Sequence, residues 1–539
     1  MYVAFVSTNT ASSDTWSSVS VSSPRISVDQ LRKLAKRVTS TDSKGEVLVV
    51  EQPFTGKPLG EVPRSSPADV DLAFKKAREA QERWQGSSFA ERRQVLLRFH
   101  DMLLSRRNEL LDLIQLETGK ARRHAIEEVL DGAMVARYYA HTAERHLRPR
   151  RRQGAFPVLT STWEHHQPVG VVGLIAPWNY PFTLTLSDAM PALAAGNGVV
   201  VKPDSQTPFT ALWGIALLEE AGLPSGLMSV VAGSGAELGP RIIENADYMM
   251  FTGSSATGRE VAKQAAGRLI GSSMELGGKN AMIVLEDADL KRAVEGAERA
   301  MFSNAGQLCI SIERLLVHDS VVDEFTRLLV ERVQGIKLGA GLDYSVGMGS
   351  LISQSQLDTV RSHVDDAVGK GAKVLAGGKW RPDIGPYFFE PTVLSGVEES
   401  MTLCRNETFG PVVSVSSFSS PAEAVRRAND SEYGLNFSVW TRDTSSGRKL
   451  AARLKAGTVN VNEGYVATWG SMDAPMGGMK ASGMGRRHGA EGIQKYTEPQ
   501  TISVQRLIPI APTMGMSPEL WANFMAGALR VLKRVPGVR

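Results

Sequence analysis

Cysteine is nearly absent from this 539-residue chain: there are two, Cys309 and Cys404, 95 positions apart. A disulfide-built scaffold is thereby excluded, and so few thiols suit a reducing compartment, so a cytoplasmic setting is expected. A dominant charge of one sign is also missing. Lys and Arg number 61 against 57 Asp and Glu, a net +4, too small at this length to argue for a nucleic-acid partner. No apolar run approaches ~20 residues, so no segment is expected to span a bilayer. Residues 1–24 hold eight serines and no Lys or Arg. Secretory and organelle-targeting leaders need basic residues, so a flexible polar extension over residues 1–30 is expected instead. No metal site is expected. What is present is ordinary globular material, 42% hydrophobic and 22% charged. It suffices for a large core and about three or four domains.

From residue 170 onward, short apolar runs alternate with helical stretches. The run 170–177 ends in a turn and is followed by a helix to Ala195. Gly198–Lys202 precedes a helix from Thr207 to Ala221, closed by Gly222 and Pro224. Leu227–Val231 and Tyr248–Thr252 follow, each again leading into a helix. Continuous β-branched runs alternating with helices predict βαβ units and a parallel sheet buried on both faces. Such sheets bind ligands at the strand ends, which makes this region a nucleotide-binding candidate. The segment Phe251-Thr-Gly253-Ser254-Ser-Ala-Thr-Gly258 sits where strand meets helix. Gly253 permits close backbone approach and the helix start offers free N–H groups to a phosphate. It does not match the GxGxxG dinucleotide fingerprint, and a tight turn alone would explain the glycine.

Three further segments carry reactive groups. Cys309 follows Ser303-Asn-Ala-Gly-Gln-Leu, a small and polar stretch unlike a core strand. Glu275 stands in Met274-Glu-Leu276-Gly-Gly-Lys-Asn280, a carboxylate beside two glycines. Asn179, in Pro177-Trp178-Asn-Tyr-Pro181, follows a strand end. A lone cysteine is ordinarily a small buried hydrophobe. A thiolate, a general base and an amide donor together are the parts that acyl chemistry through a thioester requires.

Along about residues 40–505 the chain resembles the NAD(P)-dependent aldehyde dehydrogenases. The segments PWNYP, VVKPDSQTP, FTGSSATG, MELGGKN, NAGQLC, NETFGP, GTVNVN and PMGGMKASGMGR occur in that family's order, and Glu275 and Cys309 lie 34 positions apart. The KPDSQTP and FSNAGQLCISIER stretches and the basic C-terminal tail look most like actinobacterial NADP-type succinate-semialdehyde dehydrogenases. The resemblance implies an α/β fold: a parallel-sheet cofactor domain over residues 31–145 and 169–276, an α/β catalytic domain over 277–485, and a small bridging (oligomerisation) sheet from 146–168 and 490–508. It also implies a homodimer or homotetramer. By the same resemblance Cys309 is the nucleophile, Glu275 the base for the hydrolytic water, and Asn179 the oxyanion donor. Cofactor contacts would come from Trp178, Lys202, Ser205, Gly253, Ser254, Gly258, Leu276, Glu407 and Phe409. Cys404 receives a structural reading.

Two departures bear on specificity. Ser205 stands where many NAD-preferring members carry glutamate. A carboxylate there repels a 2′-phosphate, so NADP is the expected cofactor, with NAD also accepted. Arginines expected to grip a succinate semialdehyde carboxylate are replaced by Ser303 and by a serine near position 187. Ser303 and Ser471 are the remaining substrate-contact expectations, and a neutral or bulkier aldehyde stays open. A CoA-acylating relative is disfavoured because that class does not need the Glu275 base. A non-catalytic relative is disfavoured because both base and nucleophile are retained. In the tail, residues 509–539, Leu520, Trp521, Phe524, Met525, Ala528, Leu529 and Leu532 recur at helical spacing, with Arg530, Lys533, Arg534 and Arg539 at the far end. This amphipathic helix would dock on the body or on a neighbouring subunit, with a peripheral membrane contact as the less favoured reading.

Overall fold

The computed structural model describes residues 24–42, 45–156, 160–506, 511–513 and 515–534. Three sheets organise it. The first has six strands in the order Gly483–Met484, Gly271–Glu275, Tyr248–Thr252, Val171–Ile175, Gly198–Lys202, Met228–Val230. All neighbours are parallel except the antiparallel pair at Gly483–Met484. The predicted run Gly198–Lys202 is buried at every position, as is Tyr248–Thr252. That is the signature of strands covered by helices on both faces. The helix Pro208–Glu220 follows, with Pro208 in its first turn, where its missing N–H is no loss.

A seven-stranded sheet runs Lys373–Ala376, Thr392–Ser395, Val412–Phe418, Ile312–His318, Asn280–Val284, Asn436–Trp440, Thr458–Val461. Only its first pair is antiparallel. A three-stranded antiparallel sheet joins Thr497–Gln505 to Thr160–Pro168 and then to Arg150–Gln153, where the bridging segments were expected.

Three boundaries differ from expectation. Residues 24–30, expected within the flexible extension, are packed: Ile26 is buried, Arg25 pairs with Asp112, and Ser27 caps the helix Val28–Ala35. Residues 1–23 lie outside the described residues. Gly483–Met484, expected within the catalytic domain of residues 277–485, is paired to the edge of the first sheet. The tail helix forms over Pro518–Leu532, but none of its residues is buried, so it is not docked on its own chain body. Arg539 lies outside the described residues. Among the described residues no helix is long and apolar enough to cross a membrane.

Candidate active site

Cys309 lies between the helix Leu290–Phe302 and the strand Ile312–His318. The chain reaches it through a left-handed run, Asn304 (φ 52°), Ala305 (φ 54°) and Gly306 (φ 72°). Non-glycine residues adopt this conformation only where the surroundings hold them in it. Here Asn304 Nδ2 donates to the carbonyls of Asn179 (3.0 Å) and Gln307 (3.1 Å), and Gln307 Nε2 returns a bond to Asn304 O (3.0 Å). Gly306 must lack a side chain, because a Cβ there would stand 2.1 Å from Gly410 O. The nucleophile loop is thereby pressed against the loop carrying Glu407 and Phe409.

Asn179 follows the strand Val171–Ile175 and is buried. Its side-chain amide donates to Gln307 O at 3.0 Å, and an amide carries a second N–H. Its backbone carbonyl also accepts from Lys120 Nζ at 2.8 Å. Lys120 is fully buried, pairs with Glu128 at 2.6 Å and lies over the Tyr180 ring. Glu128 in turn accepts from the backbone N–H groups of Phe182 and Thr183. Asn179 is therefore clamped from below by a buried ion pair. Beyond it the chain makes a π-helical turn, Thr183–Ser187, before the α-helix Asp188–Ala194. Such turns recur at functional sites, where they re-aim side chains.

Glu275 ends the strand Gly271–Glu275 opposite Thr252 and Gly483. It is buried, and its Oε1 has no partner. Burial pushes its carboxyl up to about 7, opposed by the charges of Arg487 and Lys495. Burial also pushes the Cys309 thiol up to about 12, opposed by Arg487 and reinforced by Glu407 and Glu275. The Cys309 side chain thus rests as a neutral thiol, and a buried carboxyl poised near neutrality can exchange protons at working pH.

Arg487 is held rigidly. Its guanidinium forms a two-point pair with Asp188 (2.8 Å on each arm) and donates to Thr252 Oγ1 at 2.6 Å. Arg487, Asp188, Cys309 and Asn179 line one chamber, with Leu308, Ile310, Leu184, Trp469 and Met476 as apolar walls. Sequence reasoning missed Lys120, Glu128, Asp188 and Arg487. Asp188 alone is an ionisable residue inside a largely apolar stretch; Lys120, Glu128 and Arg487 stand among other charged or small residues, and Arg487 is 299 positions from Asp188.

The expected cofactor contacts lie along the strand ends of the six-stranded sheet and the facing loop. Lys202 is buried, which lowers its ammonium, and Nζ bonds only to Pro203 O (3.0 Å). Ser205 donates to Gly233 O (3.1 Å). Ser254 caps the helix Ser255–Gly267, whose Gly258 leaves room for Leu276: a Cβ there would fall 2.3 Å from Leu276 Cδ2. Glu407 accepts from Gly278 N at 2.8 Å, and a Cβ on Gly277 would be 2.3 Å from its Oε2. Phe409 (φ 52°) stands edge-on to Trp178 with ring centroids 5.4 Å apart. Glu313 fixes this loop by accepting from Thr408 N and Phe409 N while pairing with Lys279.

The two expected substrate contacts are placed otherwise. The Ser303 hydroxyl is buried against Tyr465 Oη (2.8 Å), which donates on to Glu127. Ser471 donates to Ala467 O (2.7 Å) on a turn. Neither lines the chamber, because each hydroxyl is engaged by its own protein surroundings. Cys404 is half-buried, with no role in the chamber.

A half-buried thiol, a buried carboxyl, a side-chain amide and a parallel-sheet edge suit an NAD(P)-dependent oxidoreductase acting on aldehydes, and the chain belongs to the aldehyde dehydrogenase family, whose model matches residues 39–502. It is 54% identical over 488 residues, 90% of this chain and 94% of the relative, to the Mycobacterium ulcerans protein named "Putative succinate-semialdehyde dehydrogenase, NADP(+), 2". Among solved structures it is similar to an NADP-dependent enzyme of E. coli (TM-score 0.82, 35% identity, covering 86% of this chain and 95% of that one). It is likewise similar to the NAD+ complex of aldehyde dehydrogenase from Bacillus cereus (TM-score 0.81, 36% identity, 85% and 93% covered).

Proposed function

We propose that this protein oxidises succinate semialdehyde to succinate with NADP+, NAD+ being accepted less well. The observation that carries the reading is the chamber joining Cys309 to Asn179 beside the cofactor edge. The mycobacterial relative's name supports the substrate and cofactor. Ser205 supports NADP+, since a neutral hydroxyl near Lys202 leaves a 2′-phosphate unrepelled.

The residues fit a dinucleotide. Lys202 has donors to spare for the adenosine ribose, the Gly253–Ser254 turn opens a helix start to the pyrophosphate, and the side-chain-free Gly277 leaves Glu407 room to hold the nicotinamide ribose. When bound, the cofactor supplies the hydride acceptor. The chain's own residues do the rest. Cys309 Sγ gives its proton to the Glu275 carboxylate, which passes it on to solvent, and forms a bond to the aldehyde carbon as the carbonyl π pair moves onto oxygen. The resulting oxyanion is held by the Asn179 side-chain amide and the Cys309 backbone N–H. After hydride departure leaves a thioester, Glu275 takes a proton from water, the hydroxide adds to the thioester carbon, and the Cys309 thiolate leaves with release of the acid. A homodimer or homotetramer in the cytoplasm completes the proposal, supported by the exposed bridging sheet and by two free cysteines.

Initial rates with NADP+ and NAD+, for succinate semialdehyde against butanal, test the reading. A clear advantage for succinate semialdehyde with NADP+ is expected, and equal rates for the two aldehydes would reject the substrate assignment. Cys309→Ala should abolish NADPH formation altogether.

A further inference from the structure

The chamber that Cys309 lines is also lined by Ser187 and Pro191 and by the polar side chains of Asp131, Tyr139, His488 and Lys495. Three side-chain atoms of the chamber, Asp131 Oδ1, Thr183 Oγ1 and His488 Nδ1, are buried without a hydrogen-bond partner. Buried polar atoms are ordinarily paired, so such a lining suits a ligand with a polar tail rather than a plain alkyl chain.

The charges of this chamber do not match one another evenly. Asp188 is matched by Arg487 on both oxygens. Glu127 is held by the hydroxyls of Tyr180 (3.0 Å) and Tyr465 (2.8 Å), and Asp131 by Ser187. Burial pushes both of these carboxyls up to about 7, which dilutes their negative charge near neutrality. Lys495 forms no ion pair among the described residues. Its ammonium donates to Met250 Sδ (3.5 Å), stands 4.9 Å from the Tyr496 ring centroid, and feels the charges of Asp188 and Glu275 only at longer range. A half-buried cation without an oxygen partner is incompletely solvated, and an anionic ligand would offset that cost. Burial also lowers Lys495 to about 8, leaving it mostly charged at neutral pH. Gly492 lets the chamber wall close on Tyr139, whose Oη a Cβ there would meet at 2.4 Å.

We propose that Lys495, with the rigid Arg487–Asp188 pair beside it, is the carboxylate-binding end of the substrate chamber, selecting short aldehydes that carry a terminal carboxylate. The apolar walls between it and Cys309 accommodate the methylenes of a chain whose aldehyde carbon lies at the thiol. This inference rests on the substrate reading above and supplies the cation that Ser303 and Ser471 do not.

The test compares kcat/KM for succinate semialdehyde and for butanal, with NADP+, in the wild type, Lys495→Met and Lys495→Arg, after far-UV circular dichroism and NADP+ binding confirm folding. Charge-assisted contacts of this kind set the expected size: K495M lowers the ratio of the two values roughly ten- to hundredfold, and K495R restores part of it. The product succinate should also slow alkylation of Cys309 by iodoacetamide in the wild type and lose that protection in K495M. A wild-type preference that survives K495M, with protection intact, overturns the role of Lys495 and leaves the substrate reading standing. A wild type that shows neither preference nor protection overturns both.

Discussion

At the scale of single residues, the site works by burial. The Glu275 carboxyl is held up to about 7 because water is excluded from it, and the Cys309 thiol is raised for the same reason. Glu275 acts as a base only when ionised. Hydrolysis should therefore fall about tenfold per pH unit below about 7 and level off above it, measured as the steady-state rate under conditions where deacylation is limiting. Glu275→Gln should remove that limb and yield a burst of about one NADPH per active site followed by a stall; full steady turnover by E275Q would show that another group activates the water. Cys309, Glu275 and Asn179, the residues proposed to carry the chemistry, drew attention in the sequence because each sits in a distinctive local segment. Arg487 and Lys495 were not, since a basic residue in a loop reads as a solvated surface group until its distant partners are known.

Secondary-structure elements supply the next level of control. The strands Val171–Ile175, Gly198–Lys202 and Tyr248–Thr252 were readable within a residue or two, because continuous apolar β-branched runs between helices have few alternatives. The π-helical turn Thr183–Ser187 and the left-handed run at Asn304–Gly306 were not. Local composition does not encode either: both are imposed by tertiary partners, the second by Asn179 and Gly410. The long helix Arg122–Leu147 shows the same dependence, for its Glu128 meets Lys120 and the N–H groups of Phe182 and Thr183 in one buried knot. Lys120→Met leaves Glu128 with the backbone donors but no cation. A loss of about 3–5 kcal/mol is expected, seen as an earlier denaturation midpoint, together with a lower kcat as the Asn179 carbonyl loses its anchor. A K120M protein with unchanged midpoint and kcat would show that the knot is not what positions Asn179.

For the whole molecule, the exposed surfaces point outward to assembly. The strand Thr497–Gln505 is exposed at every position after Thr497, and Trp163, Ile502 and Val504 present apolar side chains from the three-stranded sheet. An open apolar sheet edge invites pairing. The tail helix adds Leu520, Phe524 and Leu529, each more than half exposed. If the proposed dimer or tetramer forms through this sheet, the double substitution Ile502→Lys and Val504→Lys should lower the molecular mass measured by light scattering to that of a monomer. An unaltered oligomer would move the interface elsewhere.

The two-residue strand Gly483–Met484 leaves the segment that follows the seven-stranded sheet and completes the edge of the six-stranded one, with Leu276 N donating to Ser482 O beside it. Glu275, the proposed base, is thus stitched at the seam between the two halves. A protein joined in this way has little freedom to lose one half first. On heating, catalytic activity and tertiary structure should disappear over the same temperature interval, so that the active site reports the melting of the whole.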